Sequence, residues 1–152
     1  MTSPRRIVAA AGQDGRSCVV SDDPLPAGGG AGMSVAVLAT GPIGRIDNAA
    51  AMAPGFPEFS MAQITDPVFS IMVAEYPAGL GREDPGMHYT ETADHFLILE
   101  GECVLVLESG DVVLRAGDVG ICRGAVHGWR NDSTAPCRLI TFILPAHPLE
   151  RG

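Results

Sequence analysis

From Val68 onward the chain alternates short apolar runs with turn residues. "VFSIMVAEY" (68–76) reads as a strand and is stopped by "PAGLGREDPG". "HFLILE", "CVLVLE", "DVVLR", "VGIC", "AVHGWR" and "CRLITFIL" then follow in order. "GE", "SG" and "AGD" supply the tight turns between the earlier ones. Strands of this length, separated by such turns, predict an antiparallel barrel or sandwich. Upstream, "RRIVAA" and "RSCVVS" flank the turn-rich "AGQDG" and predict an N-terminal hairpin. "DDPLPAGGGAG" is a connector, and "MSVAVLAT" is a further strand. Between Gly41 and Pro67 no clean period survives, because Pro42, Pro54, Pro57 and Pro67 interrupt it. Within that stretch "DNAAAM" fits one helical turn. A segment this long without regular structure is expected to be a lid or pocket wall.

Composition sharpens this picture. The 152 residues suffice for one domain and one core. The 19 glycines and 12 prolines agree with many short elements joined by turns. A formal net charge of −8 disfavours nucleic acid and anionic membrane surfaces. No apolar run reaches the length of a membrane span, and Ile7–Ala11 is too short for the core of an export signal. A cytoplasmic location is therefore expected. Cys18, Cys103, Cys122 and Cys137 form no Cys-x-x-Cys pair, and free, buried thiols are expected.

The chemistry is concentrated in "PGMHYTETADHFLILEGE" (85–102) and in the stretch from Gly117 to Asn131. His88, Asp94 and Gly101, followed by Gly117-Asp118, Gly124, His127 and Asn131, resemble the two motifs of the cupin superfamily over roughly Pro67 to Leu144. Thr90 stands where that family places a second histidine, Asp94 where it places a glutamate, and Cys122 where it places a proline. The first motif is similar to a cupin subgroup with a His-x-Thr-x-Thr-x-Asp pattern. The resemblance implies an all-β, single-domain antiparallel β-barrel, or double-stranded jelly roll. It makes dioxygenase, decarboxylase, isomerase and cyclase or dehydratase chemistry all plausible, with no organic cofactor.

Strand alternation points to the same residues. If the chain stays extended through "TETA", His88, Thr90, Asp94, Phe96 and Ile98 share a face, and His95 points away. His127 and Trp129 form a second same-face pair. Bringing the two strands together gathers His88, Asp94 and His127, the expected catalytic residues. Two imidazoles and a carboxylate are a ligand set for Fe(II), and suit Zn, Mn or Ni as well. Without metal, the aspartate can orient a histidine for acid–base work. Thr90, Phe96, Ile98, Trp129 and Phe142 are the expected substrate-binding residues. A largely apolar or aromatic small molecule suits such a lining. One of Glu75 and Tyr76 is expected to face the cavity, and Arg123 and His147 to be solvated.

The expected organisation has three parts. Residues 1–66 supply hairpin, connector and a lid or dimerisation segment, 67–145 the barrel, and 146–152 a tail. The leading function is a metal-assisted small-molecule enzyme working inside the barrel. The alternatives are a metal-free acid–base enzyme using His127 and Asp94, and a non-catalytic small-ligand-binding module. "HFLILE" carries large apolar side chains on both faces, so its outer face needs cover from the hairpin or from a second subunit. A homodimer is the expected assembly.

Overall fold

The computed structural model describes residues 5–11, 17–24, 32–44, 55–108 and 110–147. Strands β1 (Arg5–Ala11) and β2 (Ser17–Pro24) pair antiparallel and form the expected hairpin. Strands β3 (Ser34–Pro42), β4 (Val68–Tyr76), β5 (Thr92–Glu100), β8 (Val119–Arg123) and β10 (Cys137–Pro145) build a five-stranded sheet in the order β3-β4-β10-β5-β8. Strands β6 (Glu102–Leu107), β7 (Gly110–Arg115) and β9 (His127–Arg130) build a three-stranded sheet in the order β7-β6-β9. Every pairing is antiparallel. The expected all-β, antiparallel, jelly-roll architecture is what the chain forms.

The period-two pattern determines which side chains fill the space between the sheets. Met72, Ala74 and Tyr76 on β4, Phe96 and Ile98 on β5, and Leu139 and Ile143 on β10 are all buried. Cys103, Leu105 and Leu114 meet them from the three-stranded sheet, in one cluster with Cys122 and Cys137. A smaller cluster of Val37, Met72 and Ile143 fills the other end, with Ile64 packed against it. Ile64 belongs to α1 (Ala62–Thr65), one short helical turn that the proline-broken sequence did not reveal. The hydroxyl of fully buried Ser70 donates to the carbonyl of Gln63 at 2.7 Å and ties that turn to β4. "DNAAAM" lies outside the described residues.

Two further details position the site. Gly81 has φ +69°, and a Cβ there would collide with the Trp129 carbonyl oxygen. Only glycine lets the 77–88 segment lie this close to β9. Asn131, fully buried, sends its amide to the carbonyls of Tyr76 and Ala135 at 3.0 and 2.9 Å. Its Oδ1 accepts from the Ser133 backbone N–H at 3.0 Å and the Ser133 hydroxyl at 2.8 Å. One side chain thus fastens the end of β4 to the 131–135 turn.

Candidate functional site

His88, Asp94 and His127 all line one cavity between the two sheets, with an empty volume of about 730 Å³ including its open mouth. They reach it from different walls. The extended run expected through "TETA" is interrupted. His88 bridges to His127 on the β9 side, with backbone hydrogen bonds of 2.8 and 3.0 Å in both directions. The chain then crosses over and enters β5 at Thr92. Alternation therefore holds for Thr92, Asp94, Phe96 and Ile98, while His88 comes to the cavity through pairing with β9.

The two imidazoles stack at an angle, with ring centroids 4.5 Å apart. His88 Nδ1 lies 2.8 Å from the Gly86 carbonyl, and His127 Nδ1 lies 2.9 Å from the Ala125 carbonyl. A carbonyl only accepts, so each Nδ1 carries a proton, and the neutral form of each ring has its lone pair on Nε2. His127 is 4% exposed, whereas His88 stands exposed at the rim. Trp129 meets His127 edge-on at 6.3 Å and Phe96 edge-on at 5.1 Å, so the indole fixes one wall of the pocket.

Asp94 is the most unusual group. Its Oδ1 is buried and has no hydrogen-bond partner among the described residues. Burial pushes its pKa above the ordinary carboxylate value, against a hydrogen bond from Thr92 and the charges of His127 and His88, which pull it down. The Thr92 hydroxyl lies 2.7 Å from that of Thr90. With Thr92 donating to the Asp94 carboxylate, Thr90 must donate to Thr92. Thr90 does not line the cavity. It orients the group that orients Asp94.

The remaining expected positions divide. Phe96 and Trp129 line the cavity as expected. Ile98 is 1% exposed in the core behind it, because its level of β5 lies deeper between the sheets. Phe142 is 41% exposed on the outer face of β10, since Thr141 and Ile143 take the inward positions. Glu75 points outward to Arg138 at 2.7 Å, and Tyr76 points inward. Burial raises the Tyr76 phenol well above its ordinary value, so it stays protonated.

Met72, Leu139 and Thr141 also line the cavity, as do Met33, Phe59 and Ile64. The inward parity of β4 and β10 carries the signal for the first three. Phe59 and Ile64 come from the irregular stretch before β4. Cys122 also faces the cavity, but burial and the Asp94 charge raise its pKa. A thiol held protonated is not an activated nucleophile. Cys103, Cys122 and Cys137 are free and buried, as expected.

The donor set bears on the expected metal. Among the described residues, no group of three or more His, Cys, Asp or Glu side chains is arranged to hold a metal ion. The histidines pair on the β9 side, and Asp94 sits on the five-stranded sheet in a hydrogen bond with Thr92. Sharing one cavity does not bring these three side chains into one coordination sphere, so the residues as arranged do not fit a three-ligand metal. Among the described residues, no helix is long and apolar enough to cross a membrane.

Comparison with known proteins adds independent observations. Residues 73–143 match the family model described as "Cupin domain". Over 66 residues the chain is 47% identical to Phomopsin biosynthesis cluster protein C' of Diaporthe leptostromiformis, covering 42% of this chain and 35% of that protein. Over 67 residues it is 34% identical to the cupin-domain-containing oxidoreductase virC of Hypocrea virens, covering 41% of this chain and 34% of that one. The matched stretch thus spans about a third of each relative. Among solved structures, the cupin domain of Schizosaccharomyces pombe Cnp3 superposes with a TM-score of 0.54 at 15% identity, covering 95% of this chain and 89% of that one. Likeness at that identity speaks for the fold alone. The paired sheets and both motifs agree with the family match, and residues 73–143 form a cupin domain.

Proposed function

We propose that the cavity is the active site of a small-molecule enzyme that moves protons on a largely apolar, carbonyl-bearing substrate. The observation that carries this reading is the unpartnered, buried Asp94 oxygen in the same apolar cavity as two imidazoles anchored at Nδ1. A buried carboxyl with no partner for one oxygen favours its neutral, proton-donating form. The free Nε2 of His127 is a proton acceptor in the same space. In the proposed step, His127 takes a proton from the carbon next to the carbonyl, and Asp94 gives its proton to the carbonyl oxygen. Tyr76 donates a hydrogen bond to that oxygen as charge develops. Return of the proton at a different carbon gives an isomerase; departure of a β-substituent with the proton from His127, while Asp94 recovers its own as the carbonyl re-forms, gives a lyase or dehydratase. Apolar walls from Met72, Phe96, Trp129 and Leu139 hold the rest of the substrate. Similarity to a biosynthesis cluster protein supports action on a biosynthetic intermediate.

The test is solvent deuterium exchange next to the carbonyl, followed by NMR over a panel of aryl ketones. Exchange by the wild-type protein is expected to fall by about 10²-fold or more in His127→Ala. Saturable ketone binding with no exchange would replace the enzyme by a ligand-binding module. Elemental analysis of protein purified without chelator is expected to find far less than one metal per chain. A stoichiometric metal that disappears in Asp94→Ala would replace acid–base chemistry by metal-assisted chemistry at His88, Asp94 and His127.

A further inference from the structure

One hydroxyl in the cavity wall has no task in the proton transfer. Thr141, half-buried on β10, lines the cavity, and its side chain makes no hydrogen bond among the described residues. Other hydroxyls of the same sheet are engaged. Ser70 donates to the Gln63 carbonyl, and Thr92 serves Asp94. Register sets Thr141 between Met72 on β4 and Phe96 on β5. Phe96 does not cover it. The Phe96 ring leans the other way, over Gly120 of β8, where a Cβ would collide with it. A lone hydroxyl left open in an otherwise apolar wall is a handle that orients a bound molecule.

Its place relative to Asp94 selects that molecule. Asp94 pairs with Ile143, two residues along β10 from Thr141. Thr141 and Asp94 are therefore diagonal neighbours on adjacent strands, and both face the cavity. Such neighbours lie about 7–8 Å apart. A carbonyl oxygen at Asp94 and a second oxygen on the β-carbon span that gap, with a hydrogen bond at each end. We propose that Thr141 binds the β-hydroxyl of a β-hydroxy carbonyl substrate. This rests on the proton transfer proposed above and selects dehydration among its outcomes. His127 takes the proton next to the carbonyl, and Asp94 protonates the carbonyl oxygen. The bond from the β-carbon to its oxygen breaks, and the electron pair leaves with the oxygen while Thr141 donates a hydrogen bond to it. His127 returns its proton to that oxygen and Asp94 recovers its own. Water and an α,β-unsaturated carbonyl compound result.

Two probes test this on the full chain: the aldol adduct of acetone with benzaldehyde, and its deoxy analogue benzylacetone. Calorimetry in a His127→Ala background measures binding without turnover. The adduct is expected to bind about tenfold more tightly than benzylacetone, the scale of one hydrogen bond. Adding Thr141→Val, which keeps the shape, is expected to erase that preference. Adding Thr141→Ser, which keeps the hydroxyl, is expected to retain it. With His127 present, the protein is expected to release benzalacetone from the adduct. Equal affinity for the two ketones, a preference that survives Thr141→Val, or proton exchange without release of benzalacetone would overturn the proposal. A preference that depends on Thr141 in a protein that exchanges no proton would instead support the β-hydroxyl subsite and overturn the proton-transfer reading.

Discussion

Asp94→Asn is expected to abolish proton exchange while making the folded protein more stable at neutral pH. The two effects share one cause. Burial raises the Asp94 pKa, so the native state resists losing that proton while the unfolded chain gives it up freely. Below the unfolded pKa both states are protonated and Asp94 carries no penalty. As pH rises through the unfolded and then the folded value, stability is lost. Asparagine cannot ionise, so the variant escapes the loss. The wild type is therefore expected to lose stability relative to Asp94→Asn as pH climbs from acid to neutral, with the curves converging at low pH. Exchange is expected to drop by about 10²-fold or more, the usual scale for removing a positioned acid. Thermal denaturation across pH and the exchange assay check the two arms. A variant less stable than wild type at neutral pH would contradict the assigned cause.

Asn131→Ala is expected to have the largest effect on stability. Asn131 matches the final position of the second motif, and the structure shows it to be a fastener. It does not line the cavity. Its side chain makes four hydrogen bonds, to Tyr76, Ala135 and both donors of Ser133. The Tyr76 carbonyl is at the end of β4, beside the phenol assigned to the substrate oxygen. Alanine leaves the buried Tyr76 carbonyl without this bond, removes three part-buried bonds at Ser133 and Ala135, and opens a small void. The one buried orphan costs about 1–3 kcal/mol and each part-buried bond about 0.5–1 kcal/mol, so a total of about 3–5 kcal/mol is expected. Chemical denaturation measures it. A loss below about 1 kcal/mol would show that the turn holds without this side chain.

The strands from β4 to β10 were legible because each is a short apolar run bounded by turn residues, and the parity of β5 correctly pointed Asp94 and Phe96 inward. His88 reached the cavity by another route. Its neighbours looked like a continuation of β5, but His88 pairs with His127 across the other sheet, and non-local pairing of that kind leaves no local period. Phe142 shows the complementary difficulty. "CRLITFIL" is apolar on both faces, so hydrophobicity alone could not say which residues turn inward. The partners on β4 and β5 decide it. Tyr76 was recognisable only as one of two candidates, because alternation admits Glu75 or Tyr76 but not both. The short turn α1 was hidden among prolines, and a tertiary contact, Ser70 to Gln63, holds it in place.

The proposed chemistry requires Asp94 to hold its proton in an apolar cavity shared with His127. Carbon-13 NMR titration of the Asp94 carboxyl measures this directly. The expected midpoint lies clearly above the ordinary aspartate value of about 4 and moves back toward that value when Phe96→Ser admits water. A midpoint at or below about 4 in the wild-type protein would contradict it.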